Sequence, residues 1–328
     1  MDLNYACNRF LNHCKSVKKL SSHTCRAYNI DLEEFSEFQK KRQGYVLLVN
    51  HITKEEVRLF IQHLFDVRHL KETSVKRKIA CLKVFFRWLE MEELIESSPF
   101  HKLDTKITLP KRLPRNISFH ELKLFFSRNK KMIKRQSKSK FLALCKSKQK
   151  IVLRDLTTKL SAEMMFATGI RVSELVSITL GKINISDKSI HINGKGKRER
   201  RVFILDKNII WLLQNYVRLR SLFKPDTDVL MINSKGNAAS TQYIRGLIKK
   251  AGEKAGLYSR ITPHRFRHSC ATQLLEAGVD IRFVQKLLGH SSISTTEIYT
   301  QVCDSALKAV IGKADTRNRL FRVSNDNC

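Results

Sequence analysis

Residues 261–300 read I-T-P-H-R-F-R-H-S-C-A-T-Q-L-L-E-A-G-V-D-I-R-F-V-Q-K-L-L-G-H-S-S-I-S-T-T-E-I-Y-T. Thr262 is placed to N-cap a helix, and Pro263 suits its first position. His264 and Arg267 then sit one turn apart on one face. Leu274 and Leu275 belong to a buried stripe, and Gly278 is the expected C-cap. A second short helix is expected from about Asp280 to Leu288, closed by Gly289, with His290 in the turn. Ser294 and Glu297 form an S-x-x-E capping box for a third helix, and Tyr299 lies just inside it.

Two histidines, an arginine and a phenol near helix N-termini make a site for an anion with a nucleophile beside it. A tyrosine hydroxyl has a pKa near 10 and attacks poorly unless cations stabilise its anion. A phosphodiester in transfer gains negative charge that fixed arginines can stabilise. On these residues alone two readings stand. One is phosphoryl transfer to Tyr299. The other is a DNA-binding helical domain with a core tyrosine.

The run H-R-F-R-H-S-C-A-T, then L-G-H-S-S-I-S-T-T, then I-Y-T resembles the C-terminal signature of the tyrosine site-specific recombinases, the phage integrase and Xer family. That family has H-x-x-R, then L-G-H, then Y. The matching positions are His264, Arg267, His290 and Tyr299. Phe266 stands where the family usually has Leu.

The bulk composition agrees with a nucleic-acid partner. The 328 residues carry 62 Lys+Arg against 30 Asp+Glu, a net charge of +32. Such an excess suits a polyanion. No apolar run has membrane-spanning length, and the N-terminus M-D-L-N-Y-A-C-N lacks the pattern of a secretory signal. Few prolines and glycines favour helices. The eight cysteines form no C-x-x-C pair, which argues against a zinc site and for reduced thiols in a cytoplasmic protein. The length suffices for two domains.

Residues 1–99 read as a helical bundle. Leu3, Phe10, Leu11 and Val17 mark a first helix. Ser21 or Ser22 caps a second, with Tyr28, Leu32, Phe35 and Phe38 inside. Thr53 and Glu56 suggest a capping box for a third, with Val57, Phe60, Ile61 and Leu64 inside. A fourth spans roughly Thr73 to Glu90. Its apolar side is Val75, Ile79, Leu82, Phe85, Phe86 and Leu89. Its other side carries Lys76, Arg77, Lys78, Lys83 and Arg87, and Arg77, Lys83 and Arg87 are candidate contacts to a DNA backbone. The pattern L-S-S-H-T-C-R-A-Y-N-I-D-L-E-E-F resembles the start of the recombinases' core-binding domain, which implies a bundle that clasps DNA opposite the catalytic domain. Pro99, Pro110 and Pro114 bracket an expected linker at 100–116, ahead of a catalytic domain at 117–328.

Ser118 and Glu121 cap the first helix of that domain. Residues 128–150 carry ten Lys or Arg and no acidic residue, and read as an insertion relative to the family, either a solvated loop or a source of extra phosphate contacts, with the loop favoured. A helix is expected from about Ile151 to Gly169. The stretch A-T-G-I-R-V-S-E-L resembles the family's first catalytic box, in which the arginine, here Arg171, holds the scissile phosphate. Glu174 is expected to orient or cap. Residues 183–205 alternate like strands, with G-K-G-K-R-E as a turn. This resembles the family's small antiparallel sheet, whose hairpin lysine corresponds to Lys195, with Lys197 a nearby rival. The fold expected is therefore mainly α, a helical bundle plus a mostly α catalytic domain with a small antiparallel sheet.

The resemblance implies DNA cleavage and rejoining through a 3′-phosphotyrosyl link, without metal, cofactor or ATP. It implies double-stranded DNA and a homotetramer on two sites, with a partner recombinase or accessory protein as a further option. Leu307, Val310 and Ile311 form an apolar stripe in a tail that either docks on a neighbouring protomer or packs on its own domain. A type IB topoisomerase and a non-catalytic DNA-binding regulator are the alternatives. The G-K-G hairpin and L-G-H-S-S favour the recombinase, and a regulator has no need of all six site residues. No arm-binding domain precedes residue 1, which favours a Xer-like or simple mobile-element enzyme. If the charge excess serves DNA, each phosphate contact adds about 0.9 to the slope of log K against log salt. Gel-shift titrations at several salt concentrations should give a steep slope, and a flat one would refute the backbone contacts.

Overall fold

Apolar residues at three- and four-residue spacing build four helices in the N-terminal part: α1 (Leu3–Ser16), α2 (Ser22–Gln43), α3 (Lys54–Asp66) and α4 (Glu72–Met91). The structure is a computed structural model that describes residues 1–108, 116–128, 141–194 and 199–289. The chain divides into two units, Met1–Arg112 and Leu113–Cys328.

In the first unit the expected inner faces meet in an aromatic core. Phe10 packs edge-on to Phe85 at 5.4 Å, and Phe35 to Phe60 at 5.0 Å. Each such pair adds about 0.5–1.5 kcal/mol beyond area burial. Ser21 caps α2, its side chain accepting from the Thr24 N–H at 3.2 Å. The Thr53–Glu56 box does not form. Thr53 makes no side-chain cap bond, and Glu56 instead accepts from Arg42 at 2.8 Å and Gln43 at 3.3 Å. A long-range ion pair has taken the carboxylate that the box requires.

Lys78 also departs from expectation. It is buried, not on the basic outer side of α4. Positions 75, 78 and 82 share one face at helical spacing, and α2 presents Asp31 and Glu34 there. Lys78 donates to Asp31 at 2.8 Å and pairs with Glu34. Arg77 grips the same Asp31 with both terminal nitrogens, one at 2.7 Å, while staying half exposed. Asp31 is thus a fully buried carboxylate with two cations on it.

The second unit is built around α6 (Lys146–Thr168), whose Leu153, Leu156, Leu160, Met164 and Met165 are buried. It begins five residues earlier than the Ile151 expected. Cys145 is its N-cap without a side-chain bond, and no acidic residue lies in the first turn. A lysine-rich start opposes the helix dipole and conceals the boundary. Ahead of it, Phe141 is buried in the core. The loop expectation for 128–150 therefore fails at 141–150, while 129–140 lie outside the described residues.

Helix α5 (Phe119–Arg128) starts with the expected box, in which the Ser118 N–H donates to Glu121 at 2.9 Å and the Glu121 N–H to Ser118 at 3.2 Å. Short α7 (Val172–Leu175) follows α6. Strands β1 (Ile183–Asn184), β2 (Ser189–Asn193) and β3 (Glu199–Phe203) form an antiparallel sheet in that order, with Ile190 opposite Val202 and Ile192 opposite Arg200. Then come α8 (Lys207–Ser221), α9 (Thr241–Lys254), α10 (Pro263–Glu276) and α11 (Ile281–Leu288). The fold is mainly α with a small antiparallel sheet, as the sequence indicated. Phe266 fills the core, its ring 5.3 Å from that of Phe125.

Asp31→Ala takes from the buried Lys78 the carboxylate it shares with Arg77 and leaves it Glu34 alone of its two acidic partners. Breaking one side of a buried pair costs about 3–5 kcal/mol. Urea unfolding should show a loss of that order, largely recovered when Lys78→Met is added. A loss under about 1 kcal/mol would contradict the burial argument.

Candidate active site

Helix α6 ends at Thr168, and Gly169 turns the chain with a left-handed φ of 64°. The turn leaves Arg171 as N-cap of α7. Its backbone N–H donates to Glu174 Oε2 at 2.8 Å, and its Nη1 to Glu174 Oε1 at 2.9 Å. Glu174 is thus both cap and orienting group for Arg171. About a third of the Arg171 side chain, 34%, remains exposed.

Helix α10 begins at Pro263 behind Thr262, whose side chain makes no cap bond. One turn into the helix, Arg267 is buried. It donates to the Gly169 carbonyl at 2.6 Å and the Leu288 carbonyl at 2.7 Å. Arg171 reaches the Leu288 and Gly289 carbonyls, each at 3.5 Å. These carbonyls belong to the last turn of α11, where helix groups lack internal partners and carry partial negative charge. Gly289 closes that helix with a φ of 66°. At the other end of α10 the C-cap is Ala277, and Gly278 follows it with a φ of 86°.

A third arginine joins them. Arg200 on β3 donates through Nε to the Leu287 carbonyl at 2.8 Å. Its Nη1 and Nη2 bond the two oxygens of Glu174 at 3.0 and 2.8 Å. Arg200 was absent from the candidates, yet its strand carried a signal. Val202 and Ile204 face the core, so period 2 puts residue 200 on the same side. A charge at an inward strand position needs a buried partner.

Burial pushes the Glu174 carboxyl up, but hydrogen bonds from Arg200 and from the Arg171 backbone outweigh it and leave the net shift downward. His264 keeps an exposed face. Its pKa is lowered, first by partial burial and then by the charges of Arg245, Arg267 and Arg171. The structure thus brings Arg171, Arg267 and His264 into one electrostatic neighbourhood. Lys195, Lys197, His290 and Tyr299 lie outside the described residues. Among the described residues no group of three or more His, Cys, Asp or Glu could hold a metal ion, and no helix is long and apolar enough to cross a membrane.

Of the earlier candidates for DNA contact, Lys83 lies 5.8 Å from the centre of the Phe100 ring and Arg87 is exposed. Cys7, Cys14, Cys81 and Cys270 are buried, and Cys145 is exposed.

Comparison with known proteins identifies the class. The phage integrase family model matches residues 131–305, and that of the phage integrase N-terminal SAM-like domain matches residues 7–93. A tyrosine recombinase XerC of Leptospira interrogans is 32% identical, covering 97% of this chain and 95% of its own. A tyrosine recombinase XerC of Listeria innocua is 34% identical, covering 94% and 97%. The fold is similar to the crystal structure of XerH site-specific recombinase bound to a palindromic difH substrate, with a TM-score of 0.71, 22% identity, and 93% and 83% of the two chains covered. The chain belongs to the phage integrase family of tyrosine recombinases.

The His264 environment has a measurable consequence. Its folded pKa is depressed below the free value of about 6.5. The unfolded chain therefore takes up this proton first as pH falls. Stability should drop from about pH 6.5 through the folded pKa and level off beyond it. An NMR titration should place the imidazole below the free value, and Arg245→Gln should move it back up. An ordinary or raised value in the wild type would refute the assignment of causes.

Proposed function

We propose that this protein is a site-specific DNA recombinase that cuts and rejoins strands through a 3′-phosphotyrosyl intermediate. The observation that carries the reading is the convergence of Arg171 and Arg267 on one carbonyl, that of Leu288. Two guanidiniums from distant parts of the chain are fixed on the turn that leads into His290. Family membership at 32% identity over nearly the whole chain supports the same reading.

In this proposal Tyr299 attacks the scissile phosphate. Arg171 and Arg267 hold the nonbridging oxygens as charge builds on them. Arg267 is fixed by two backbone carbonyls, so its alignment costs little at the moment of reaction. Arg171, with its exposed third, is the more open of the two to an incoming anion. His264 acts as general base or hydrogen-bond partner, and its lowered pKa favours the neutral ring that a base requires. His290 is a second donor. Lys195 protonates the leaving 5′ oxygen, with Lys197 as the nearby rival. The covalent link conserves the bond energy, so neither ATP nor a metal is needed for religation.

We further propose residues 1–99 as the core-binding domain, 100–116 as the linker and 117–328 as the catalytic domain. Arg77, Lys83 and Arg87 would contact the DNA backbone, and for Arg77 the Asp31 pair sets the direction in which the guanidinium points. Two ordered strand exchanges between duplexes imply a homotetramer on two sites. A cytoplasmic enzyme of chromosome-dimer resolution or of mobile-element integration and excision fits these features. A partner recombinase or accessory protein fits them too.

Tyr299→Phe keeps the ring and removes the oxygen that attacks phosphorus. On a nicked suicide substrate it should bind DNA as the wild type does and give no covalent band on a denaturing gel. Arg171→Ala and Arg267→Ala should also lose the band, and EDTA should leave the wild-type band unchanged. A band in Tyr299→Phe would overturn the nucleophile. A band abolished by EDTA would indicate a metal-dependent nuclease or transposase instead.

A further inference from the structure

Glu174 serves two masters. Both oxygens of its carboxylate receive Arg171, one from the backbone N–H and one from Nη1, and both also receive the Arg200 guanidinium. Its side chain is 6% exposed and that of Arg200 is 11% exposed, so this pair is shielded from solvent where that of Arg171 is not. The two-pronged arrangement fixes the carboxylate in plane as well as in position. With Arg200 removed, Glu174 would keep its bonds to Arg171 and lose its anchor on β3, so that the two could shift together.

Arg200 also reaches a third element. Its Nε holds the Leu287 carbonyl on α11, one residue before the carbonyl shared by Arg171 and Arg267. Gly289 makes room for this side chain. A Cβ there would lie 3.2 Å from Arg200 Nη1 and 3.4 Å from its Cδ, at a left-handed backbone position that disfavours one in any case. Strand β3, which carries Arg200, begins at Glu199, four positions after Lys195 in the sequence. One side chain therefore ties β3 to the carboxylate that orients Arg171 and to the last turn of α11.

We propose that Arg200 is a positioning residue for strand cleavage. It acts through Glu174 to hold Arg171 where the scissile phosphate meets it. The inference rests on the reading of Arg171 as a phosphate ligand. Arg200 itself, spent on Glu174 and Leu287, need not touch DNA. Its loss should therefore spare binding and damage the chemical step. A misplacement of about 1 Å costs on the order of 100-fold in rate.

The test compares wild type, Arg200→Ala, Arg200→Lys, Arg171→Ala and Tyr299→Phe. Each is given a nicked suicide substrate with either an ordinary scissile phosphate or a methylphosphonate. The methylphosphonate lacks the charged nonbridging oxygen and so needs less help from Arg171. The readouts are DNA affinity and the single-turnover rate constant for the covalent complex. A smaller folded fraction lowers the amplitude and leaves that constant alone, so a folding defect is separated from a positioning defect.

Arg200→Ala should bind within about twofold of wild type and cleave the phosphate on the order of 100-fold more slowly. Its deficit should shrink on the methylphosphonate, as that of Arg171→Ala should. Arg200→Lys, which keeps the charge and loses the fork, should fall between. A wild-type rate in Arg200→Ala would overturn the proposal. So would an equal deficit on both substrates, because the effect would then not pass through Arg171. If Arg171→Ala cleaves normally, or Tyr299→Phe forms the covalent band, the underlying site assignment fails and the role of Arg200 with it.

Discussion

Three guanidiniums meet the carbonyls at the end of α11, and the arrangement of the second unit's polar centre follows from that meeting. Arg267 comes from α10, Arg171 from the turn after α6, and Arg200 from the sheet. The helix end supplies partial negative charge, and Glu174 supplies a full one. Each arginine needs several acceptors, which lie on segments far apart in sequence. Satisfying all of them fixes the relative placement of α6, α7, α10, α11 and β3 within narrow limits. Packing adds a constraint of its own. A Cβ at Gly169 would come within 2.5 Å of Leu288 Cδ2, so the α6–α7 turn and α11 approach as closely as their atoms allow.

The first unit solves a similar problem differently. Asp31 lies within an aromatic bundle and is neutralised by Lys78 from inside and Arg77 from outside. Burial of a charge is tolerated there because two adjacent positions of α4, one inward and one at the boundary, both reach the single carboxylate on α2. Such a pair is a weak source of net stability, and replacing only one member is costly. What it supplies is register, since α4 can hold both cations on Asp31 in one rotational setting only.

Much of this was legible in the sequence. The helical periods located most elements, because each helix has one apolar face, and the alternation in 183–205 located the strands. Arg171 and Arg267 stood out because short motifs placed them beside a glycine turn and a proline-marked helix start. What escaped depended on distant partners. Nothing local at Lys78 tells that Asp31 and Glu34 wait on another helix. Glu56 has the spacing of a capping residue, but Arg42 claims it. The start of α6 was hidden by lysines that a helix N-terminus ordinarily avoids. Arg200 looked like one of several basic residues in a hairpin, and only strict alternation from Val202 and Ile204 would have turned it inward.

The small cluster under α11 is separate from the main core. Ala271, Leu275, Val284 and Leu288 form it, within an eight-residue helix and its neighbour α10. Among the described residues α11 packs on this small cluster and, through Leu287, on the main core, and the guanidinium–carbonyl bonds add to that hold. A short helix held this way is expected to open at a lower free energy than the buried α6. The same bonds set the pose of Arg171 and Arg267. An anion that prefers those arginines in their latched pose must, by linkage, raise the free energy of that opening. Occupancy of the site and closure of α11 are then two faces of one equilibrium, and amide hydrogen exchange in α11 becomes a reporter of whether the site is filled.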